Sequence, residues 1–210
     1  MIKKNWLSLL IMVLLSFATI WDRSWQHYPF AVGFMCIVIS RLLGIVTLKE
    51  CGLHIAGIGY ILKKGTHRPL FIAPFLTVAV EILVGRLLFD DFAIYALTRI
   101  DEYLIFNSSA TLVFFTFALV AFEEIPWRCH FQFHIGRHLP SGWALLFPAV
   151  CISAIAVSLP MSLLSLYCLC GIFIRRILWG LLYEYSKSVW LVVLSHFLAV
   201  MLYLILLVGL

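Results

Sequence analysis

Residues 110–139 read "ATLVFFTFALVAFEEIPWRCHFQFHIGRHL". The first thirteen, 110–122, form an uncharged apolar run of the kind built for lipid, and the run then meets Glu123, Glu124 and Arg128. A crossing of roughly 30 Å of hydrocarbon takes about 20 residues, so these charges fall inside or at the edge of a spanning helix. A charged side chain at a helix centre costs on the order of 2.5–3.5 kcal/mol, and each one therefore needs a partner or a purpose. Glu124 and Arg128 stand at i and i+4 and are expected to pair on one helical face. Glu123 lies about 100° around the helix, without a local cation. Its carboxylate is expected to face a cavity in the bundle, free to act as a general base on water. Pro126 removes a backbone hydrogen bond and predicts a kink beside the acids.

The rest of the chain sets the same solvent. Of its 210 residues, 64% are hydrophobic and 12% charged, and the mean hydropathy is +1.07. These values describe an all-α, polytopic membrane helix bundle. About seven spans are expected, near 5–21, 29–48, 69–89, 107–127, 141–158, 160–183 and 188–209. The first resembles a signal peptide but has no small-x-small cleavage site, and it is read as a retained helix. Residues 50–65 and 91–106 carry charges at helical intervals and are expected to lie along the membrane interface. The whole chain, 1–210, is read as a single integral membrane domain.

The net charge of +5 comes from bases scattered singly between apolar runs, which excludes nucleic acid as a partner. Lys3, Lys4, Lys49, Lys63, Lys64, Arg68, Arg137 and Lys187 gather on one side. Arg23 and Arg99 lie on the other, among Asp22, Asp90, Asp91, Asp101 and Glu102. This asymmetry predicts a cytoplasmic N-terminus and an external C-terminus, with the polar cavity expected to face the cytoplasm. The six cysteines show neither a disulfide framework nor a zinc spacing and are read as small buried apolar residues.

Other ionisable groups have bland or competing readings. Arg41, Glu81, Arg86, Arg175 and Arg176 lie within spans and are expected to pair between helices or reach the interface. Glu123, His130, His134 and His138 share one face of an ideal helix. His130 and His134, completed by Glu123 or His196, would make a divalent metal site, but interfacial histidines are the expected reading. His196 lies deep in the last span with no charge nearby. His27, His54 and His67 carry no signal.

E-E-x-x-x-R at 123–128 resembles the first motif of the CPBP (CAAX protease and bacteriocin-processing, or Abi) intramembrane proteases. "GIFIRRILWGLLYEYSKSVWLVVLSHFLAV", 171–200, is similar to the family's downstream segment and the helix bearing its third motif, and "LKECGL", 48–53, resembles a turn ahead of the core. The resemblance implies a CPBP-like core over about 107–205. It implies Glu123 as the water-activating base, Glu124 and Arg128 as the supporting pair, and His196 as an oxyanion-binding residue. Two family residues are missing. Val200 stands at the third-motif Asn, and "WALLFPAVCISAIAVSLP", 143–160, has Phe147-x-x-x-Cys151 where the second motif has Phe-x-x-x-His. Ser153, Ser158, Ser195 or a backbone amide would have to supply the lost hydrogen bonds.

The implied function is intramembrane endopeptidase hydrolysis of a membrane-associated protein or peptide substrate. One alternative is a catalytically inactive relative that binds a membrane protein as an immunity or assembly factor. Another is a metal-dependent enzyme using the His130/His134 stripe. No cofactor is expected, and membrane lipid is the surrounding partner. The expected location is a prokaryotic inner membrane.

Overall fold

A computed structural model of the chain describes residues 3–54, 68–101, 109–157 and 159–208. The described residues are helical, with no strand among them. Helix α1 spans Lys3–Ala18 and leads through a 3-10 turn, Arg23–His27, into α2, Tyr28–Leu42. Helices α3, Arg68–Leu88, and α4, Phe92–Asp101, come next. Helix α5, Ser109–Ile125, runs without a break into a π-helical stretch, Pro126–Gln132, and closes with one turn, Phe133–Gly136. Helices α6, Ser141–Ala156, α7, Leu163–Ser186, and α8, Val189–Val208, complete the bundle.

Local chemistry sets several of these boundaries. Ser162 caps α7 through a reciprocal pair of bonds with Ser165, which satisfies two orphan donors of the first turn. At the other end Lys187 adopts a left-handed conformation, φ 52°, and its N–H closes on the Tyr183 carbonyl at 2.7 Å. Gly52, φ 80°, lies against this turn so closely that a Cβ would stand 2.5 Å from the Lys187 oxygen. The Gly52 carbonyl accepts from the Val189 N–H at 3.0 Å. The loop around Gly52 is thus docked on the α7–α8 turn. Within it the Thr47 backbone N–H and hydroxyl donate to Glu50 and hold its exposed carboxyl below the usual carboxylate range.

Helix α7 is central, packed between α3 and α6, while α8 sits between α3 and α5. Helices α1 and α2 pair and lean on α6 and the π-helical stretch. One core, including Ile82, Phe92, Leu182 and Val192, joins α3, α4, α7 and α8. A second, including Met12, Phe30, Trp127 and Ile152, joins α1, α2 and α6 to the π-helix. Leu76, Leu83, Leu87, Phe114 and Leu163 are exposed on the outside, an apolar surface that suits lipid.

Among the described residues, four helical segments are long and apolar enough to cross a membrane: Arg68–Leu88, Ala110–Gly136, Leu163–Ser186 and Val189–Leu207. The expected count of about seven is therefore not confirmed among the described residues. Helices α1, α2 and α6 occupy expected spans but have only 16, 15 and 16 residues, short of the roughly 20 that a full crossing takes. The apolar window over 29–48 ran past the end of α2 into the turn at Gly44, φ 65°. Of the expected interfacial pieces, 55–65 and 102–106 fall outside the described residues, and Phe92–Asp101 is a helix with Phe92 and Ala96 buried. Cys51, Cys129 and Cys151 are buried as expected, but Cys36 and Cys168 are half-buried and Cys170 is exposed.

Candidate active site

The site forms where α5 becomes π-helical. Pro126 starts that stretch, and α2 passes it so tightly that a Cβ on Gly33 would lie 2.6 Å from the Pro126 Cβ. Glu124 is fully buried and receives the Arg128 Nε at 2.8 Å, the expected i,i+4 pair. Arg128 Nη1 also donates to Gln132 Oε1 at 2.8 Å, and Gln132 Nε2 donates to the Gly180 carbonyl at 3.0 Å. This chain of bonds ties the π-helix to α7.

Glu123 is a quarter exposed and faces a cavity of about 360 Å³, whose wall also includes Trp179, His196 and Val200. It is not free, contrary to the sequence reading. Arg176 of α7 binds Glu123 through Nη2 and Glu124 through Nη1, the latter at 2.7 Å. Sequence spacing missed this contact because it searched for a cation on the same helix. The available signals were a surplus acid on α5 and two arginines in an apolar α7.

His196 of α8 enters the same cluster. Its Nε2 lies 4.0 Å from Glu123 Oε2, and its Nδ1 lies 2.9 Å from Glu124 Oε1. The second contact is an ion-pair distance, although the ring N–H is not aligned for a hydrogen bond. The Trp179 ring packs against the imidazole, tilted by 31°, at 3.8 Å between centroids. The separation between carboxylate and imidazole is within the roughly 8 Å that one water and a peptide carbonyl need, given hydrogen-bond reach on each side.

The remaining sequence candidates lie elsewhere. Ser195 donates to the Phe71 carbonyl at 3.0 Å and accepts from Trp179 Nε1 at 3.3 Å. It props the tryptophan and does not line the cavity. Ser153 is buried with no hydrogen-bond partner among the described residues and is likewise absent from the cavity wall. Ser158 and His67 lie outside the described residues. On α6 the cavity meets Ile152, Ile155 and Ala156, with no polar side chain from that helix.

His130 and His134 are buried within the protein. Their rings stand 4.9 Å apart, and His130 Nε2 lies 2.8 Å from Ser8 Oγ. Both border a small crevice with Ser40, Arg41 and Thr47, away from Glu123 and His196. The helical stripe that would have joined them to Glu123 is broken, because a π-helix takes one more residue per hydrogen-bonded turn and so rotates the residues beyond it. Among the described residues, the one group of three metal-capable side chains is Glu123, Glu124 and His196, with ligand atoms within 4.8 Å of one another. Both carboxylates already hold guanidinium groups, which a divalent ion would have to displace.

Glu81 and Arg175 form a second ion pair on the cavity wall, between α3 and α7. Arg86 donates to the Leu206 and Leu207 carbonyls, so Glu81, Arg175 and Arg86 all have structural partners. Arg41 is exposed at the end of α2.

Residues 105–202 match the family model described as "Type II CAAX prenyl endopeptidase Rce1-like". That stretch contains α5 to α8 up to Leu202 and every residue of the Glu123 cluster, and the match is consistent with a CPBP family member. No curated protein and no solved structure matches the chain.

Proposed function

We propose, from an integral membrane protein whose residues 105–202 are Rce1-like, that the Glu123 cluster hydrolyses peptide bonds within the membrane. The observation that carries this reading is the meeting of Glu123 and His196, from different helices, at 4.0 Å on one cavity. Water held between them attacks the scissile carbonyl and gives its proton to Glu123. The oxygen of the tetrahedral intermediate takes a hydrogen bond from the His196 Nε2–H. Glu123 then passes its proton to the departing amine, leaving a new carboxylate and a new amine. When Glu123 is protonated it attracts Arg176 less, and the guanidinium is left beside the developing oxyanion. Arg176 thus offers positive charge where the second-motif His and third-motif Asn are missing. We place the protein in a prokaryotic inner membrane with its N-terminus cytoplasmic.

The test is cleavage of a quenched fluorescent peptide by protein reconstituted in lipid nanodiscs. Glu123→Gln loses its base and should be slower by about 10²- to 10⁴-fold. His196→Ala loses a donor and should be slower by about 10²- to 10³-fold. Both should remain folded by helical circular dichroism.

A second reading is a protease-dead membrane partner. It is favoured by the apolar α6 wall and by Val200 in the cavity. If it holds, both variants keep the cellular phenotype, while altering the outer faces of α1 to α3 abolishes it.

A further inference from the structure

The two ends of the bundle differ in charge, and the cavity belongs to one of them. At the first end the loop around Gly52 docks on the α7–α8 turn. Arg137 stands 3.9 Å from Glu50, and the rings of Trp6 and His138 are in contact. Lys49, Arg68, Arg137 and Lys187 gather there. At the second end lie Asp22, the 3-10 turn, Asp90, Asp91 and the start of α7. The bond from Arg86 to the end of α8 places Arg68, at the far end of α3, with the first group. Cytoplasmic ends of membrane bundles carry the excess of Lys and Arg.

The cavity wall includes Arg23, Gln26 and His27 of the 3-10 turn, Tyr95 of α4, and Met161 just before α7. All five belong to the second end, where Arg23, His27 and Met161 are exposed. Among the described residues, nothing from the loop around Gly52, and neither Arg137 nor Lys187, reaches it. Toward the first end the floor is closed by Trp179 on His196 and by the Gln132–Gly180 bond. Along α7 the wall runs through Ser165, Cys168, Leu169, Ile172, Arg176 and Trp179, one helical face. The fourteen steps from residue 165 to residue 179 span about 21 Å at 1.5 Å each. That is the length of about six extended residues. A volume of about 360 Å³ over this length is too narrow for a helix, which needs about 10–12 Å of width.

We infer that the site receives the extended end of a polypeptide delivered from the side of the membrane opposite Lys49, Arg137 and Lys187, that is, from outside the cytoplasm. This rests on the hydrolytic reading for its chemistry, but the shaft and its direction do not depend on it. On this inference the cavity opens to the side opposite the one expected from sequence.

Cys168 is a native reporter on the shaft wall. In intact cells expressing the chain, a small membrane-impermeant thiosulfonate should modify Cys168, with the site identified by tandem mass spectrometry so that Cys170 is told apart. Met161→Cys should be modified under the same conditions, and Lys187→Cys only after the membrane is permeabilised. Modification of Cys168 only after permeabilisation overturns the inference, as does a reversed pattern for Met161→Cys and Lys187→Cys. Mapping on the unaltered chain needs no variant to fold. Peptide hydrolysis is read separately, so an inactive protein with Cys168 open to the outside refutes the chemistry and leaves the direction standing.

Discussion

Arg176 and Arg128 hold the same carboxylate from two helices, and their replacement should have different consequences. Arg176 touches Glu123 as well as Glu124, so Arg176→Met should reduce peptide hydrolysis by about 10²- to 10³-fold, the usual effect of losing one oxyanion-stabilising group. Arg176→Lys keeps the charge but not the two-armed geometry and should recover part of the rate. Measured kcat for the two variants checks this. Arg128 donates hydrogen bonds to Glu124 and Gln132 and does not reach Glu123 among the ion pairs of the described residues. Arg128→Ala breaks a fully buried pair and should cost about 3 kcal/mol, the low end for such a loss because Arg176 still faces Glu124. Thermal unfolding in detergent reports it. At this scale the sequence was most legible where partners share a helix, as Glu124 and Arg128 do. It was silent where they come from different helices, as Glu123 and Arg176 do, because spacing carries no information about which faces meet across the bundle.

Local chemistry in α5 decides where the acids point. Pro126 cannot donate a backbone hydrogen bond, and the helix answers with a π-helical stretch of seven residues at the candidate site, a setting in which such insertions recur. That Pro126 would disturb the α-helical bonding was readable from the sequence. The π-helix was not, and the predicted histidine stripe failed because it assumed 3.6 residues per turn throughout. Helix lengths failed for a related reason: apolar composition continues through turns such as Gly44, so hydropathy marks where α1, α2 and α6 lie but not where they stop. The tight crossing of α2 over Pro126 gives an independent test. Gly33→Ala would force its Cβ into the proline ring and should cost about 1–3 kcal/mol, as overpacking does. The same change at Gly142, which has open space around it, should leave the unfolding temperature unchanged or raise it slightly.

Taken whole, the bundle encloses five ionisable side chains, Glu123, Glu124, Arg128, Arg176 and His196, in one connected cluster fed by α5, α7 and α8. Such a concentration of charge in an apolar protein is expensive, and packing alone does not call for Glu123 to border a cavity. A hydrolytic site does. The direct test supplies peptide substrate in heavy-oxygen water and tracks the label by mass spectrometry. The proposed mechanism predicts that the parent protein inserts one heavy oxygen into each newly formed carboxyl terminus, and that Glu123→Gln, equally folded, produces at most a small fraction of that product. Cleavage without label, or labelled product formed by Glu123→Gln at the parental rate, would contradict a Glu123-activated water.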